Sequence, residues 1–247
     1  MIIVDEDKIP RLPKENDISE SSVPGTKSSR VSSFNGWIEY AYDRTTTSNP
    51  LGQFSAEWTV PSDPTSRAGT GMNARTIFLF NGIRDYPNYN TIIQPVLEWN
   101  NRDTGYYWTI SSWALSGSSA IHSSRYTTSK DHLIKGTMQW DTSNSAWYVT
   151  TYDMTSGSST SLTTSWTPSP YSSGLEPEFA LEGWQITGNA DVPGSTLFQN
   201  AIFKKPNGQT LPVVLKRYIS SSSAPLTQLN VQIISNPSTV KLWTANL

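Results

Sequence analysis

The run 91-TIIQPVLEW-99 decides how this chain is read: it packs Ile, Ile, Val, Leu and Trp into nine residues, yet carries Gln94 and Pro95 at its centre. β-Branched and aromatic side chains at this density belong to a strand. Strict alternation puts Ile92, Gln94, Val96 and Glu98 on one side of it. A carboxamide and a carboxylate therefore share a face with aliphatic residues, where burial without a partner is costly. Pro95 withholds one ladder donor and marks a place where a bulge can reset the alternation.

The same texture extends in both directions. From Phe34 onward the chain reads as short strand after short strand: "GWIEYAY", "QFSAEWTV", "TIFLFNGI", "YYWTISSWA", "HLIKGTMQW", "AWYVTTYDM", "EFALEGWQI", "TLFQNAIF", "TLPVVLKRY" and "LNVQIIS". Clusters such as "SDPTSRAGTG", "DTSNS" and "KPNGQT" separate them, and "PNG" reads as a hairpin turn. No sustained i, i+3, i+4, i+7 apolar stripe suggests a helix. The pattern predicts an all-β fold, a bent antiparallel β-sandwich of two packed sheets over residues 31–247. Residues 1–30 hold 11 of the 38 Asp, Glu, Lys and Arg residues and three of the prolines. They are expected to form a flexible N-terminal extension or a removable leader.

Composition narrows the partners. The 10 Trp, 11 Tyr and 7 Phe supply the apolar area for a core, and a net charge of −2 offers no basic field for nucleic acid or for an anionic membrane. With no cysteine, disulfides, thiol nucleophiles and thiolate metal sites are excluded. No apolar h-region and no permissible N-glycosylation sequon occur. The chain as written is expected to be cytoplasmic, or secreted if it is a processed mature form. No metal or other cofactor is expected, and the sequence does not fix the oligomeric state.

Familiar catalytic signatures are missing: there is no G-x-S-x-G elbow or P-loop, and His122 and His132 form no zinc motif. "GTGMNA" at 69–74 fits a loose dinucleotide pattern but follows a Pro/Ser loop and precedes a strand, so it reads as a loop. In "EFALEGWQI", alternation sets Ala180, Glu182, Trp184 and Ile186 on one face, and in "YYWTISSWA" it aligns Tyr106, Trp108 and Ile110. If these faces line the concave side of a bent sheet, they make an aromatic cleft with a few convergent polar groups.

The order of these segments resembles the fungal glutamic peptidases, the eqolisin family. The similarity runs over roughly residues 34–190 and rests on "NGW", "FSAEWTVPSDP", "FNGI", "IIQPVLEW" and "FALEGWQI". "FALEGWQI" is similar to that family's Asn-Ala-Glu-aromatic strand. The resemblance implies a concanavalin A-like sandwich and an acid endopeptidase in which Gln94 is the catalytic amide and Glu182 the catalytic carboxyl. It also implies a peptide-binding cleft around Trp108, with Glu98 standing for a family aspartate. Arg84, Trp184, Tyr106 and Trp37 complete the expected substrate-contacting set. Arg84 departs from the family, which has an aspartate there, and Ile110 and Ser112 replace an acidic residue and a tyrosine. Two alternatives stay open: the same scaffold repurposed for a non-hydrolytic small-molecule reaction such as a cyclisation, and a carbohydrate-binding module using exposed aromatics and the 84–90 "RDYPNYN" loop.

Overall fold

A computed structural model describes residues 2–3, 33–69, 71–101, 105–220 and 226–244. Apart from Ile2 and Ile3, the expected leader at 1–30 lies outside the described residues. Two antiparallel sheets make up the fold, with no α-helix among the described residues; 3-10 turns occur at Gly71–Asn73 and Asn189–Asp191. One sheet is built from β1 (Ile2–Ile3), β2 (Phe34–Tyr42), β4 (Thr76–Tyr86), β5 (Thr91–Trp99), β6 (Trp108–Ser116), β7 (Ser119–His122), β8 (Tyr126–Thr128), β12 (Gly174–Ile186) and β14 (Lys216–Ile219). Its order is β1-β7-β6-β5-β4-β12-β2-β14, with β8 on β6. The other contains β3 (Gln53–Thr59), β9 (Leu133–Asp141), β10 (Ala146–Asp153), β11 (Ser159–Thr164), β13 (Ser195–Lys204), β15 (Asn230–Ser235) and β16 (Thr239–Trp243), ordered β11-β10-β9-β3-β13-β16-β15.

Alternation divides the larger sheet into two apolar faces. Its inner side chains, including Leu79, Ile93, Leu97 and Phe179, pack with Phe54, Trp58, Phe198 and Val231 of the smaller sheet. Phe54 meets Phe179 edge-on with centroids 5.2 Å apart and stacks on Phe203 at 4.4 Å, which joins the two layers. The outer face carries a separate cluster drawn only from the larger sheet, around Trp37, Phe78, Phe80, Val96, Trp113 and Ala180.

Pro95 causes no bulge. The pairs Phe80↔Val96 and Ile83↔Ile93 on β4 and β5 keep one register across it, and β5 runs without a shift against β6. Ser112, opposite Pro95, turns its N–H and C=O towards Ser123, so no donor from Pro95 is needed on that side. The ring is housed by Gly136 of β9. A Cβ built there would lie 2.2 Å from Asn81 Oδ1 and 2.8 Å from the Pro95 ring. Gly136→Ala is therefore expected to destabilise the fold by about 1–3 kcal/mol through overpacking. The check is a lower urea midpoint with an unchanged m-value.

Two other expectations need correction. "PNG" does form a tight turn, with Lys205 N–H donating to Gln209 O and Gly208 at φ +84°, but only the single bridge Lys204↔Thr210 follows it. Residues 211–215 run as irregular chain with Leu211, Val213 and Leu215 buried, so the strand read in "TLPVVLKRY" shrinks to β14. Ile186 does not share a face with Glu182. Gln185 takes a left-handed φ of 58° within a register shift, which swings Ile186 into the inner core.

Candidate functional site

Reading the registers across the outer face gives rows of side chains. One row runs Trp113 (β6), Gln94 (β5), Gly82 (β4), Glu178 (β12), Tyr42 (β2). Gln94 falls opposite Gly82 by the unbroken register on either side, and Glu178 pairs with Gly82 from the far edge of β4. The amide and the carboxyl thus stand two strands apart, about 10 Å between Cα atoms at usual strand spacing, with only a glycine between them. A Cβ on Gly82 would come within 3.2 Å of the Phe80 ring and 3.3 Å of Glu178 Oε1. Hydrogen in place of a side chain is what keeps the two polar groups facing one gap.

Both groups are short of partners. Gln94 is 2% exposed, and its carboxamide has no hydrogen-bond partner among the described residues. Neither carboxyl oxygen of the fully buried Glu178 has an aligned donor. Burial drives the Glu178 carboxyl well above the usual range against the pull of Arg84, and Glu176 and Glu182 push the same way. Polar groups left unpaired in an apolar surface are costly, and functional sites are where such costs persist.

Glu182, four residues along β12, lies in a different row, opposite Phe78, which itself faces Glu98. That places it roughly 17 Å from Gln94 between Cα atoms, from four strand rises and two strand spacings. It is buried, one of its oxygens is unpaired, and burial lifts its pKa to about 8. The carboxyl that shares the Gln94 row is therefore that of Glu178, and the register of two strands far apart in sequence decides it.

Glu98 is the opposite case. Its carboxyl accepts from Trp113 Nε1 at 2.5 Å, Asn101 Nδ2 at 2.9 Å, Arg125 Nε at 3.0 Å and the Ser111 hydroxyl. With its acceptor sites filled, Glu98 braces Trp113, the indole directly across from Gln94.

Arg84 and Trp37 both lie on the outer face, the guanidinium 4.7 Å from the indole centroid. Trp184 is half-buried opposite Thr76, two residues beyond Glu182. Trp108 and Tyr106 do not line this face. Trp108 packs in the core between the sheets with its indole N–H on Asp63 Oδ1 at 3.1 Å, and Tyr106 packs against that core with its hydroxyl on Gly69 O. Trp108 pairs with Trp99, an inward position, whereas Trp113, five residues on, points outward. Sequence reasoning misses Glu178, Glu176, Gly82 and Trp113. One signal points to the first of them: the family order Glu-aromatic is met by Glu178-Phe179, while Gly183 separates Glu182 from Trp184.

No family model and no curated protein matches this sequence. Solved structures do. The fold is similar to that of scytalido-glutamic peptidase with a transition-state analogue inhibitor, at 15% identity and a TM-score of 0.56, over 87% of this chain and 100% of that one. It is also similar to SCP-B, a member of the eqolisin family of peptidases, in complex with the tripeptide Ala-Ile-His. That match has 16% identity and a TM-score of 0.53, over 87% and 100% of the two chains. The chain thus has the sandwich fold of the glutamic peptidases.

Proposed function

We propose that the outer face of the larger sheet is a peptide-hydrolysing site with Gln94 and Glu178 as its working pair. The observation that carries this reading is the row Gln94, Gly82, Glu178: an amide without a hydrogen-bond partner among the described residues and a carboxyl without an aligned donor, facing each other across a glycine. In this reading ionised Glu178 takes a proton from a water that attacks the scissile carbonyl. The Gln94 NH₂ donates to the oxygen that becomes negative, and protonated Glu178 passes its proton to the leaving nitrogen. An amide suits the middle task because it donates without titrating. Trp113, Phe80 and Trp37 supply apolar contact for side chains of the substrate. Kinship of fold with peptidases bound to a peptide and to a transition-state analogue supports the reading.

One consequence departs from the acid activity that the resemblance implies. A base whose proton affinity is raised by burial needs a higher pH to ionise, so the rising limb of the rate profile should fall above the ordinary carboxylate range. The test is incubation of the protein with a denatured protein substrate from pH 2 to 9, with fragments sequenced by mass spectrometry. Absence of new cleavage at every pH overturns the proposal. Gly82→Val closes the gap between the pair and is expected to lower kcat/KM roughly ten- to hundredfold by displacing the reacting groups, with a lower Tm from crowding of the Phe80 ring.

A second reading, a non-hydrolytic reaction of a small apolar molecule, is favoured by Arg84, whose Nε lies 3.1 Å from Glu178 Oε2 beside the aromatic and aliphatic cluster of that face. A fixed cation beside the carboxyl suits orientation of a polar substrate group. Binding of small apolar ligands without peptide cleavage would favour it.

A further inference from the structure

Glu176 and Glu178 are two residues apart on β12 and project onto the same face, with one fully buried cation, Arg84, between them. The hydrogen bonds are shared out unequally. Arg84 Nε donates to Glu176 Oε1 at 2.8 Å, and Nη2 donates to the same oxygen and to Tyr40 Oη at 3.3 Å. The other Glu176 oxygen accepts from Arg44 Nε at 2.8 Å and from Tyr89 Oη at 3.3 Å. Rings of Trp37, Tyr40 and Tyr89 lie 4.7, 5.3 and 4.5 Å from the guanidinium carbon. Arg84 is thus clamped in place. Glu178 Oε2 lies 3.1 Å from Arg84 Nε but out of line with its N–H, and receives no aligned donor.

The groups facing Glu178 are few. Glu176 and Glu182 stand on its own strand, Arg84 on β4, and Tyr42 and Tyr40 on β2, with exposed Lys216 of β14 beyond Tyr42. Across Gly82, β5 presents only the non-titrating Gln94.

We propose that Glu176 and Arg84 form the positioning element of this site: by taking the aligned N–H groups of Arg84, Glu176 leaves Glu178 free to gain and lose a proton beside Gln94. This rests on the reading of Gln94 and Glu178 as the working pair. A planar guanidinium released by Glu176 would instead bond Glu178 and hold it permanently ionised. Glu178 would then be a poor proton carrier, and Glu176 is what prevents this.

The experiment is a pH titration of the full chain labelled with ¹³C at glutamate side-chain carboxyls, with the Glu178 signal assigned by its loss in Glu178→Gln. Glu176→Asp keeps the charge but withdraws the carboxylate by one methylene. It is expected to lower the Glu178 midpoint by a unit or more, a tenfold fall in proton affinity. Glu176→Gln is expected to do the same, and the fall should disappear in Glu176→Gln/Arg84→Gln, which shows that it runs through Arg84. A Glu178 midpoint unchanged in Glu176→Asp, or a fall that persists in the double variant, overturns the proposal. The titration needs no substrate, so it is decided separately from any assay of peptide cleavage.

Discussion

Glu178→Gln is expected to reduce peptide hydrolysis about 10²–10⁴-fold, the usual worth of a positioned acid or base. Gln94→Ala is expected to cost about 10²–10³ in kcat, as for loss of one donor to a developing oxyanion. The two losses should not add, because a donor to the oxyanion is useful only when a nucleophilic water is being activated. A third variant discriminates between the two carboxyls. Glu182→Gln removes an equally buried carboxyl from the same strand and face, but from a row that does not contain Gln94. It should leave kcat/KM within about tenfold of the wild type, because a carboxyl whose Cα stands roughly 17 Å from that of Gln94, in another row, is badly placed to serve the same water. The measurement is kcat/KM for one peptide across the three variants, with Tm recorded for each. Full activity in Glu178→Gln, or a greater loss in Glu182→Gln than in Glu178→Gln, would sink the assignment of the pair.

Much of the fold was legible because its signal is local. A strand such as β9, with burial alternating at each residue from Ile134 to Trp140, announces its period in the residues themselves. So does β5, although it is buried on both faces and its alternation is visible only through Gln94 and Glu98. Short elements escaped: β8 and β11 are rich in Ser and Thr, β7 is four residues long, and none shows a strand period until pairing with a neighbour defines it. Irregular chain escaped in the other direction, since Leu211, Val213 and Leu215 alternate like a strand but bury their side chains without a ladder.

The site was only half legible for a related reason. Alternation within one strand correctly grouped Gln94 with Glu98, and it groups Glu176, Glu178 and Glu182 with equal ease. It says nothing of how far one strand slides along another. Gly82 meets Glu178 across 96 positions of sequence, and that register is fixed by a core in which Phe179 must reach Phe54 and Phe198. A slide of four residues would keep every side chain on its face and still exchange Glu178 for Glu182. For the same reason, Trp108 and Trp113 are alike in composition but opposite in direction, and only odd spacing along β6 separates core from site.

Thermal stability is expected to be greatest near pH 4 and to fall continuously towards pH 9. Three buried acids set this slope. Burial raises Glu39 to about 9, opposed by nearby backbone N–H groups of Trp243 and Asn230; burial raises Glu182 to about 8 and also raises Glu178. Each keeps its proton to higher pH in the native state than in the unfolded chain, which releases it near 4.5. Between that pH and about 8 to 9 the unfolded state therefore binds fewer protons, and stability declines as pH rises. Asp153 acts at the other end. Burial pushes it up, but hydrogen bonds from His132, the Ser156 backbone and Thr128 outweigh this and bring it to about 2. Its contribution is present above the unfolded value of 3.8 and is lost as pH falls through about 2. A tenfold difference in proton affinity between the folded and unfolded chain corresponds to about 1.4 kcal/mol, so the alkaline decline should be on the order of several kcal/mol. Calorimetric Tm values from pH 2 to 9 give the curve, and two variants apportion it. Glu39→Gln, which removes a carboxyl facing the inter-sheet core with neither oxygen bonded by an aligned donor, should raise Tm at pH 8 and flatten the alkaline limb. Asp153→Asn should flatten only the acid limb. A wild-type Tm that is level or rising from pH 5 to pH 8 would mean that these carboxyls are ionised in the folded protein, and would contradict the rise in rate above the ordinary carboxylate range expected of Glu178.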